Sequence, residues 1–357
     1  MRAYNFSAGP ATLPEEVLKE AQAELLDYQG SGMSIMEMSH RGKEYSAIHD
    51  ETIANIKQLL NIPEGYSVLF MTGGASTQFA LIAMNLLGED QTADYTNSGA
   101  WAAKAIKEGK LLGNVNIAAD CGKEIPTRVP SVDELNLTDG AAYLHITSNE
   151  TISGAQWKVF PENNTLIADM SSDILSRPLD VSKFGMIYAG AQKNLGPAGI
   201  TLVIIKDELA ERCPDTVPTI MRYKTQIENN SLFNTVPTYP VYILCLVTRW
   251  LLAKGGLEGM QKQNEEKAAK LYAAIDGTDF YTGTAVKEYR SNMNITFRIA
   301  NEELEAQFIA EAAEKNLKGL KGHRSVGGIR ASIYNAFPVE GVDALISFMK
   351  EFEANNG

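Results

Sequence analysis

Tyr188-Ala189-Gly190-Ala191-Gln192-Lys193-Asn194-Leu195-Gly196-Pro197-Ala198-Gly199 presents a single lysine between two apolar runs, 186–189 and 201–205. The first run ends in small residues and a turn-rich stretch leads into the second. A lysine in a cramped, partly desolvated turn gives up its charge more easily than a solvated one, as Schiff-base chemistry requires. The glycine and alanine frame indicates that a bulky group approaches the backbone closely. Twenty-four residues upstream, the apolar run 165–168 ends in Asp169, followed by Met170-Ser171-Ser172. A carboxylate at a strand's C-terminal end faces the crevice where α/β proteins bind ligands. Alone, it reads equally as a helix N-cap.

Two further segments fit a bound aromatic phosphate. Thr72-Gly73-Gly74-Ala75-Ser76-Thr77-Gln78 lies between an apolar run ending at Met71 and a helix through Leu87. Glycines ahead of a helix N-terminus leave amides free for a phosphate, and with no Gly-Lys-Ser/Thr following, this is no nucleotide P-loop. Trp101, after Asn97-Ser98-Gly99-Ala100, offers a flat face for a ring, although a lone tryptophan is as readily a core or surface residue. If the ligand is pyridoxal phosphate, Asp169 keeps its pyridine nitrogen protonated, so that the ring accepts electrons.

Outward from these segments, short apolar runs at 67–71, 92–95, 142–146, 165–168, 186–189 and 201–205 alternate with helical patterns. Runs apolar on both faces predict a mainly parallel α/β sheet. Helices are expected over 15–28 and 43–60, and 241–253 reads as a buried helix despite Arg249, too short for a membrane span. After Gly255-Gly256 the rhythm changes: a polar helix over 258–274, strands at 294–299 and 329–333, and helices over 303–315 and near 342–352. The expected organisation is an N-terminal arm (1–14), a large domain (15–256) and a small α+β domain (257–357).

Composition narrows the function. The chain has 357 residues, 45% hydrophobic and 21% charged, with 32 basic against 44 acidic residues and a net charge of −12. That excess of acid disfavours nucleic acid and anionic membrane surfaces, and leaves small anions possible where cations gather locally. Such a gathering exists at His323-Arg324-Ser325-Val326-Gly327-Gly328-Ile329-Arg330. Arg330 falls in a strand-like run, where a fixed guanidinium grips a carboxylate bidentately. His323 and Arg324 precede the glycine pair and suit a phosphate. Cys121, Cys213 and Cys245 are too scattered for a disulfide framework or a thiolate metal site. The four histidines form no ligand set, so no metal is expected. The N-terminus lacks a signal-like apolar run, and a cytoplasmic chain is expected.

Several longer runs carry a specific resemblance: Asn5-Phe6-Ser7-Ala8-Gly9-Pro10, Ser39-His40-Arg41-Gly42, Asn149-Glu150-Thr151, Ser176-Arg177-Pro178, the lysine segment, Phe233-Asn234-Thr235, and Gly322-His323-Arg324 through Tyr334-Asn335. In order and over essentially the whole chain, they resemble the phosphoserine aminotransferases, class-V-type pyridoxal-phosphate enzymes of fold type I (aspartate aminotransferase-like). The resemblance implies a mainly parallel, seven-stranded-type sheet in the large domain. It implies pyridoxal 5′-phosphate as a covalent Schiff base on Lys193, with Asp169 at the pyridine nitrogen, Trp101 stacked on the ring and Thr151 beside it. Phosphate contacts fall on Ala75, Ser76 and Gln192, together with Asn234 and Thr235 from a neighbouring subunit. Arg330 becomes the α-carboxylate anchor, and His323, Arg324 and the partner-supplied Arg41 the substrate-phosphate contacts. A homodimer with active sites at its interface follows. One departure stands out: some members carry an arginine at the position of Ser76, where it helps bind the substrate phosphate.

The implied reaction moves an amino group between L-glutamate and 3-phosphohydroxypyruvate, giving O-phospho-L-serine and 2-oxoglutarate. In bacterial members 4-phosphohydroxy-L-threonine of pyridoxal phosphate synthesis is a second substrate. Rival readings are a serine–glyoxylate aminotransferase, a cysteine desulfurase, or a non-enzymatic regulator on the same fold. The cations of 323–330 disfavour small uncharged substrates, no cysteine lies in a mobile Gly/Ser loop, and Lys193 with Asp169 favours an enzyme.

Overall fold

A computed structural model describes residues 2–162 and 165–357; Met1 of the expected arm lies outside them. The large sheet is built from β1 (Tyr66–Met71), β2 (Thr92–Asn97), β3 (Asn114–Asp120), β4 (Leu144–Thr147), β5 (Leu166–Asp169), β6 (Met186–Gly190) and β7 (Thr201–Lys206). Its seven strands run in the order β1-β7-β6-β5-β4-β2-β3. Strand β7 is antiparallel to both neighbours and the other pairings are parallel. The chain is thus α/β with a mostly parallel sheet.

The unbroken apolar runs reflect burial on both faces. Leu144, Ile146, Leu166, Ala168, Ile187, Leu202 and Ile204 pack on one side with α2 (Lys43–Leu60) and α5 (Thr238–Ala253). Ile167, Tyr188, Val203 and Ile205 face α3 (Gly74–Leu86) and α4 (Ala100–Leu112) on the other. Strand β3 escaped the sequence reading because it is an edge strand, mostly exposed or half-buried and punctuated by Asn114 and Asn116. The first helix, α1 (Glu15–Ala23), stops short of its expected end at Tyr28. Asp27 Oδ1 accepts from Gly32 N at 2.7 Å and closes a tight loop in place of another helical turn. Arg249, the charge within the apolar helix α5, is met by Glu51 of α2 at 2.5 and 2.7 Å. Among the described residues no single helix is long and apolar enough to cross a membrane.

Beyond α5 come α6 (Gly256–Asp276), β8 (Tyr281–Gly283), β9 (Asn294–Ile299), α7 (Glu302–Glu314), β10 (Ile329–Ser332) and α8 (Val339–Asn356). The three strands form an antiparallel sheet in the order β10-β9-β8. Leu271, Phe297, Phe308, Phe348 and Phe352 lie in a separate core beneath it. The N-terminal arm reaches across to this unit. Tyr4–Asn5 pairs in parallel with Leu317–Lys318, and Phe6, fully buried, packs tilted against Phe337 with ring centroids 4.4 Å apart. A strap of chain is thereby led over the carboxyl edge of the large sheet.

Candidate active site

Asp169 ends β5 and is 5% exposed. No helix follows it. Its Oδ1 accepts from Ser171 N at 2.9 Å and Ser171 Oγ at 2.6 Å, so the cap it makes is of its own turn. Ser171 Oγ also accepts from Gly190 N at 3.0 Å, tying this turn to the end of β6. Among the described residues Oδ2 makes no hydrogen bond, which leaves one oxygen of the carboxyl unengaged. Burial raises the Asp169 pKa, while Ser171 and the Lys193 charge oppose the shift.

Lys193 follows β6 by three residues, and its Nζ donates to Thr151 Oγ1 at 2.5 Å. Burial pulls its pKa down to about 8, against the attraction of Asp169 and Glu150 and with help from Arg330. A meaningful fraction of neutral amine therefore exists near pH 7. The strap packs directly on this side chain. Ala11 N donates to Gln192 O at 2.9 Å, and a Cβ on Gly9 (φ +149°) would lie 3.1 Å from Lys193 Cγ. Glycine is the residue that fits both the angle and the approach.

The wall opposite comes from two helix N-termini. Gly73 (φ +89°) and Gly74 (φ +64°) turn the chain from β1 into α3, and a Cβ on Gly73 would collide with Thr77 Oγ1. No side chain caps this helix, so the amides of Ala75 and Ser76 in its first turn are open to an anion. Trp101 lies in the first turn of α4, its ring centroid 5.2 Å from Lys193 Nζ and 4.1 Å from Lys104 Nζ. The start of α4 rests on Glu150, a fully buried carboxyl whose Oε1 accepts from Ser98 Oγ at 3.1 Å and Ala102 N at 3.3 Å. Burial raises the Glu150 pKa to about 7, with these donors opposing the shift. A Cβ on Gly99 would lie 2.7 Å from that carboxyl, which explains the glycine ahead of Trp101.

The small unit closes the remaining side. Arg330, on β10, donates from Nη1 to Thr151 O at 3.3 Å, and its Nε is buried without a partner among the described residues. His323 and Arg324 precede the turn of Gly327 and Gly328. Asn149 Nδ2 donates to Asn294 Oδ1 at 2.8 Å, Asn294 Nδ2 reaches Tyr334 Oη at 3.1 Å, and Tyr334 Oη donates to Ala8 O at 2.7 Å. Large sheet, small sheet and strap thus meet around Lys193.

Of the residues singled out from sequence, Lys193, Thr151, Trp101, Asp169 and Arg330 converge here, with Ala75 and Ser76 in the first turn of α3 and Gln192 on the turn that carries Lys193. Arg41, Asn234 and Thr235 are exposed, and within one chain none hydrogen-bonds to Lys193, Asp169 or the α3 turn among the described residues. Sequence reasoning passed over Glu150, Ser171, Tyr334 and Lys104. Glu150, Ser171 and Tyr334 carried a signal only by lying inside quoted runs; Lys104 is an ordinary residue until the fold places it.

The class-V aminotransferase family model matches residues 3–345. A curated phosphoserine aminotransferase of Niallia circulans is 55% identical, over 100% of this chain and 99% of the relative. Among solved structures, phosphoserine aminotransferase from Bacillus circulans subsp. alkalophilus superposes with a TM-score of 0.97 at 54% identity, covering 100% of this chain and 99% of that one. The PLP-bound phosphoserine aminotransferase of Trichomonas vaginalis has a TM-score of 0.94 at 42% identity, over 98% of this chain and 100% of the other. The chain belongs to the class-V aminotransferases and, at this identity over its full length, to the phosphoserine aminotransferase family.

Proposed function

We propose that the chain transfers the amino group between L-glutamate and 3-phosphohydroxypyruvate, giving O-phospho-L-serine and 2-oxoglutarate for serine biosynthesis, with pyridoxal 5′-phosphate held covalently on Lys193. The observation that carries this is the meeting of Lys193, its pKa lowered by burial, with Thr151 and the buried Asp169 at the carboxyl edge of the sheet. The residues fit the cofactor on structural grounds. Asp169 has one oxygen unengaged, Trp101 presents its ring beside Lys193, and the uncapped start of α3 offers amides to a phosphate.

When bound, the cofactor carries the amino group between substrates and its ring accepts the electrons of the substrate's Cα–H bond. Everything else falls to the chain. With the cofactor bound, Lys193 would act as the general base that takes the proton from the substrate Cα and, as its ammonium, as the acid that supplies one in return. Asp169 would keep a proton on the cofactor's ring nitrogen, and Trp101 would offer its flat face to the ring. The amides of Ala75 and Ser76, with Gln192, hold the cofactor phosphate. Arg330 grips the α-carboxylate of both substrates; His323, Arg324 and a partner subunit's Arg41 hold the substrate phosphate or glutamate's distal carboxylate.

We assign Asn234, Thr235 and Arg41 to the neighbouring site of a homodimer. Their exposure supports this, as do the exposed Met36, Ile220, Met221 and Phe233. The domain division at 256/257, with 1–14 as a strap, and a cytoplasmic location belong to the same reading. A desulfurase is disfavoured: Cys121 and Cys245 are buried, and burial raises both thiols. Coupled turnover of glutamate with 3-phosphohydroxypyruvate, compared with the unphosphorylated keto acid, tests the reading. Equal rates for the two would refute it. 4-Phosphohydroxy-L-threonine belongs in the same assay as the second phosphorylated substrate.

A further inference from the structure

Ser76 leaves the turn into α3 without the arginine that some family members carry there, yet the neighbouring helix brings a different cation to the same edge. Helices α3 and α4 pack against each other, and both begin at the carboxyl ends of their strands. Ser76 is in the first turn of α3 and Lys104 follows Trp101 by three residues on α4. Lys104 lies over the Trp101 ring, 4.1 Å from its centroid, and is exposed. It also belongs electrically to the cations of the small unit: the pKa of His323 is lowered first by burial, then by the charges of Arg330, Arg324 and Lys104.

None of Lys104, Arg324 and Arg330 makes an ion pair among the described residues, although the chain carries 44 acidic residues. Gathering unpaired like charges is unfavourable unless an anion joins them. Arg330 is assigned to the α-carboxylate, which leaves the cluster one cation richer than His323 and Arg324 alone.

We propose that Lys104 is a specificity-determining residue that binds the substrate's phosphate, supplying from α4 the cation that Ser76 lacks on α3. The inference rests on the function proposed above. Lys104 swings from the Trp101 ring to the dianion and bonds it as a point charge, while the ring keeps the flexible stem close. A doubly charged phosphate gains more from this than glutamate's single distal carboxylate, so the residue favours the phosphorylated keto acid.

The test compares holoenzymes of the wild type, Lys104→Gln and Lys104→Arg. KM and kcat are measured for 3-phosphohydroxypyruvate and for unphosphorylated hydroxypyruvate, and inorganic phosphate binding is followed by calorimetry. Lys104→Gln should weaken phosphate binding and raise the KM for the phosphorylated acid about 10- to 100-fold, the loss of one charge-assisted hydrogen bond. Its kcat and its handling of the unphosphorylated acid should stay near wild type, and Lys104→Arg should retain phosphate binding. Wild-type values for Lys104→Gln in both readouts would overturn the assignment. So would an equal loss on both keto acids, which would mean that Lys104 acts through Trp101 and the cofactor. A wild type with no preference for the phosphorylated acid would instead sink the underlying function; a wild type with that preference and an unaffected Lys104→Gln sinks this inference alone.

Discussion

Lys193 and Lys267 both have their pKa values lowered by burial, and of these two only Lys193 is placed for chemistry. Lys193 is drawn to about 8 and Lys267 to about 7. Lys267 sits midway along α6, fully buried, with its ammonium against Tyr334 O at 2.6 Å, Ile333 O and Phe337 O at 3.1 Å, and Asn335 O at 3.5 Å. Those carbonyls favour the ammonium against the pull of burial and use up its donors. Among the described residues Lys193 has one hydrogen-bond partner, Thr151; Asp169, Glu150 and Asp173 act on its charge, and it stays partly exposed. Burial alone therefore does not mark a catalytic lysine. An unsaturated nitrogen facing space for a ligand does.

The largest effect expected from this contrast is on Lys193→Ala. Turnover should fall by at least about 10⁴-fold, because the covalent anchor and the proton carrier go together. Stability should hold or rise at pH 7. A lowered lysine pKa costs the fold stability below the unfolded value, and removing the group removes that cost. Near-normal turnover in a preparation free of wild-type enzyme would erase the distinction between the two lysines.

Lys267→Met should do the reverse. Leaving the carbonyls of Ile333, Tyr334 and Phe337 without their donor should cost about 1–3 kcal/mol in urea unfolding, the range for buried polar groups left unsatisfied, offset in part by removing the cost of the lowered lysine pKa. Turnover per folded molecule should change far less. The same turn reaches the site through the Tyr334 hydroxyl, which donates to Ala8 O at 2.7 Å, and through Asn335 N, which donates to Asn194 Oδ1 at 3.0 Å; neither contact uses the Lys267 ammonium. A stable Lys267→Met enzyme with lost activity would assign Lys267 to the catalytic apparatus. Asp169→Asn is expected to retain the cofactor and lose about 100-fold or more in the glutamate half-reaction, near 2.7 kcal/mol. An unchanged half-reaction would show that Asp169 serves only its own turn with Ser171.

The contrast also explains what was legible in the sequence. Lys193 was visible because glycines, alanines and two strands frame it, and those features are local. Lys267 was not, because it and Asn264 stand on the buried stripe of α6 with Met260, Leu271 and Ile275. Polar residues at those positions broke the apolar period, and the helix read as a polar one. The central strands were found because burial on both faces makes them continuous apolar runs, while the half-exposed edge strand β3 and short β8 gave no such signal. Asp169 was recognised by its place at a strand end. Glu150, on the loop after β4, became recognisable only when the fold set α4 upon it.

Glu150→Gln gives the smallest and most pH-dependent effect, and extends the comparison from buried lysines to a buried acid. Its pKa of about 7 lies above the ordinary 4.5, chiefly from burial, with Asp169 adding to the shift and the Ser98, Trp101 and Ala102 donors opposing it. Lys193, on the same side, is attracted to it. Between pH 4.5 and 7 the folded chain therefore holds a proton that the unfolded chain has released. Stability from this group is present in full below the unfolded pKa and is lost as pH rises through about 7. The loss amounts to about 3 kcal/mol across the window, at 1.36 kcal/mol per unit. Glutamine keeps an oxygen for Ser98 Oγ and Ala102 N but cannot ionise, and its amide replaces Oε2, which has no partner among the described residues. At pH 5 the variant should match the parent or be slightly weaker. By pH 8 the difference should have moved in its favour by up to that same amount, as read from denaturant midpoints of the holoenzyme. Parallel stability curves at every pH would show that Glu150 does not change protonation in this range, and the support beneath Trp101 would then be equally firm at all of them.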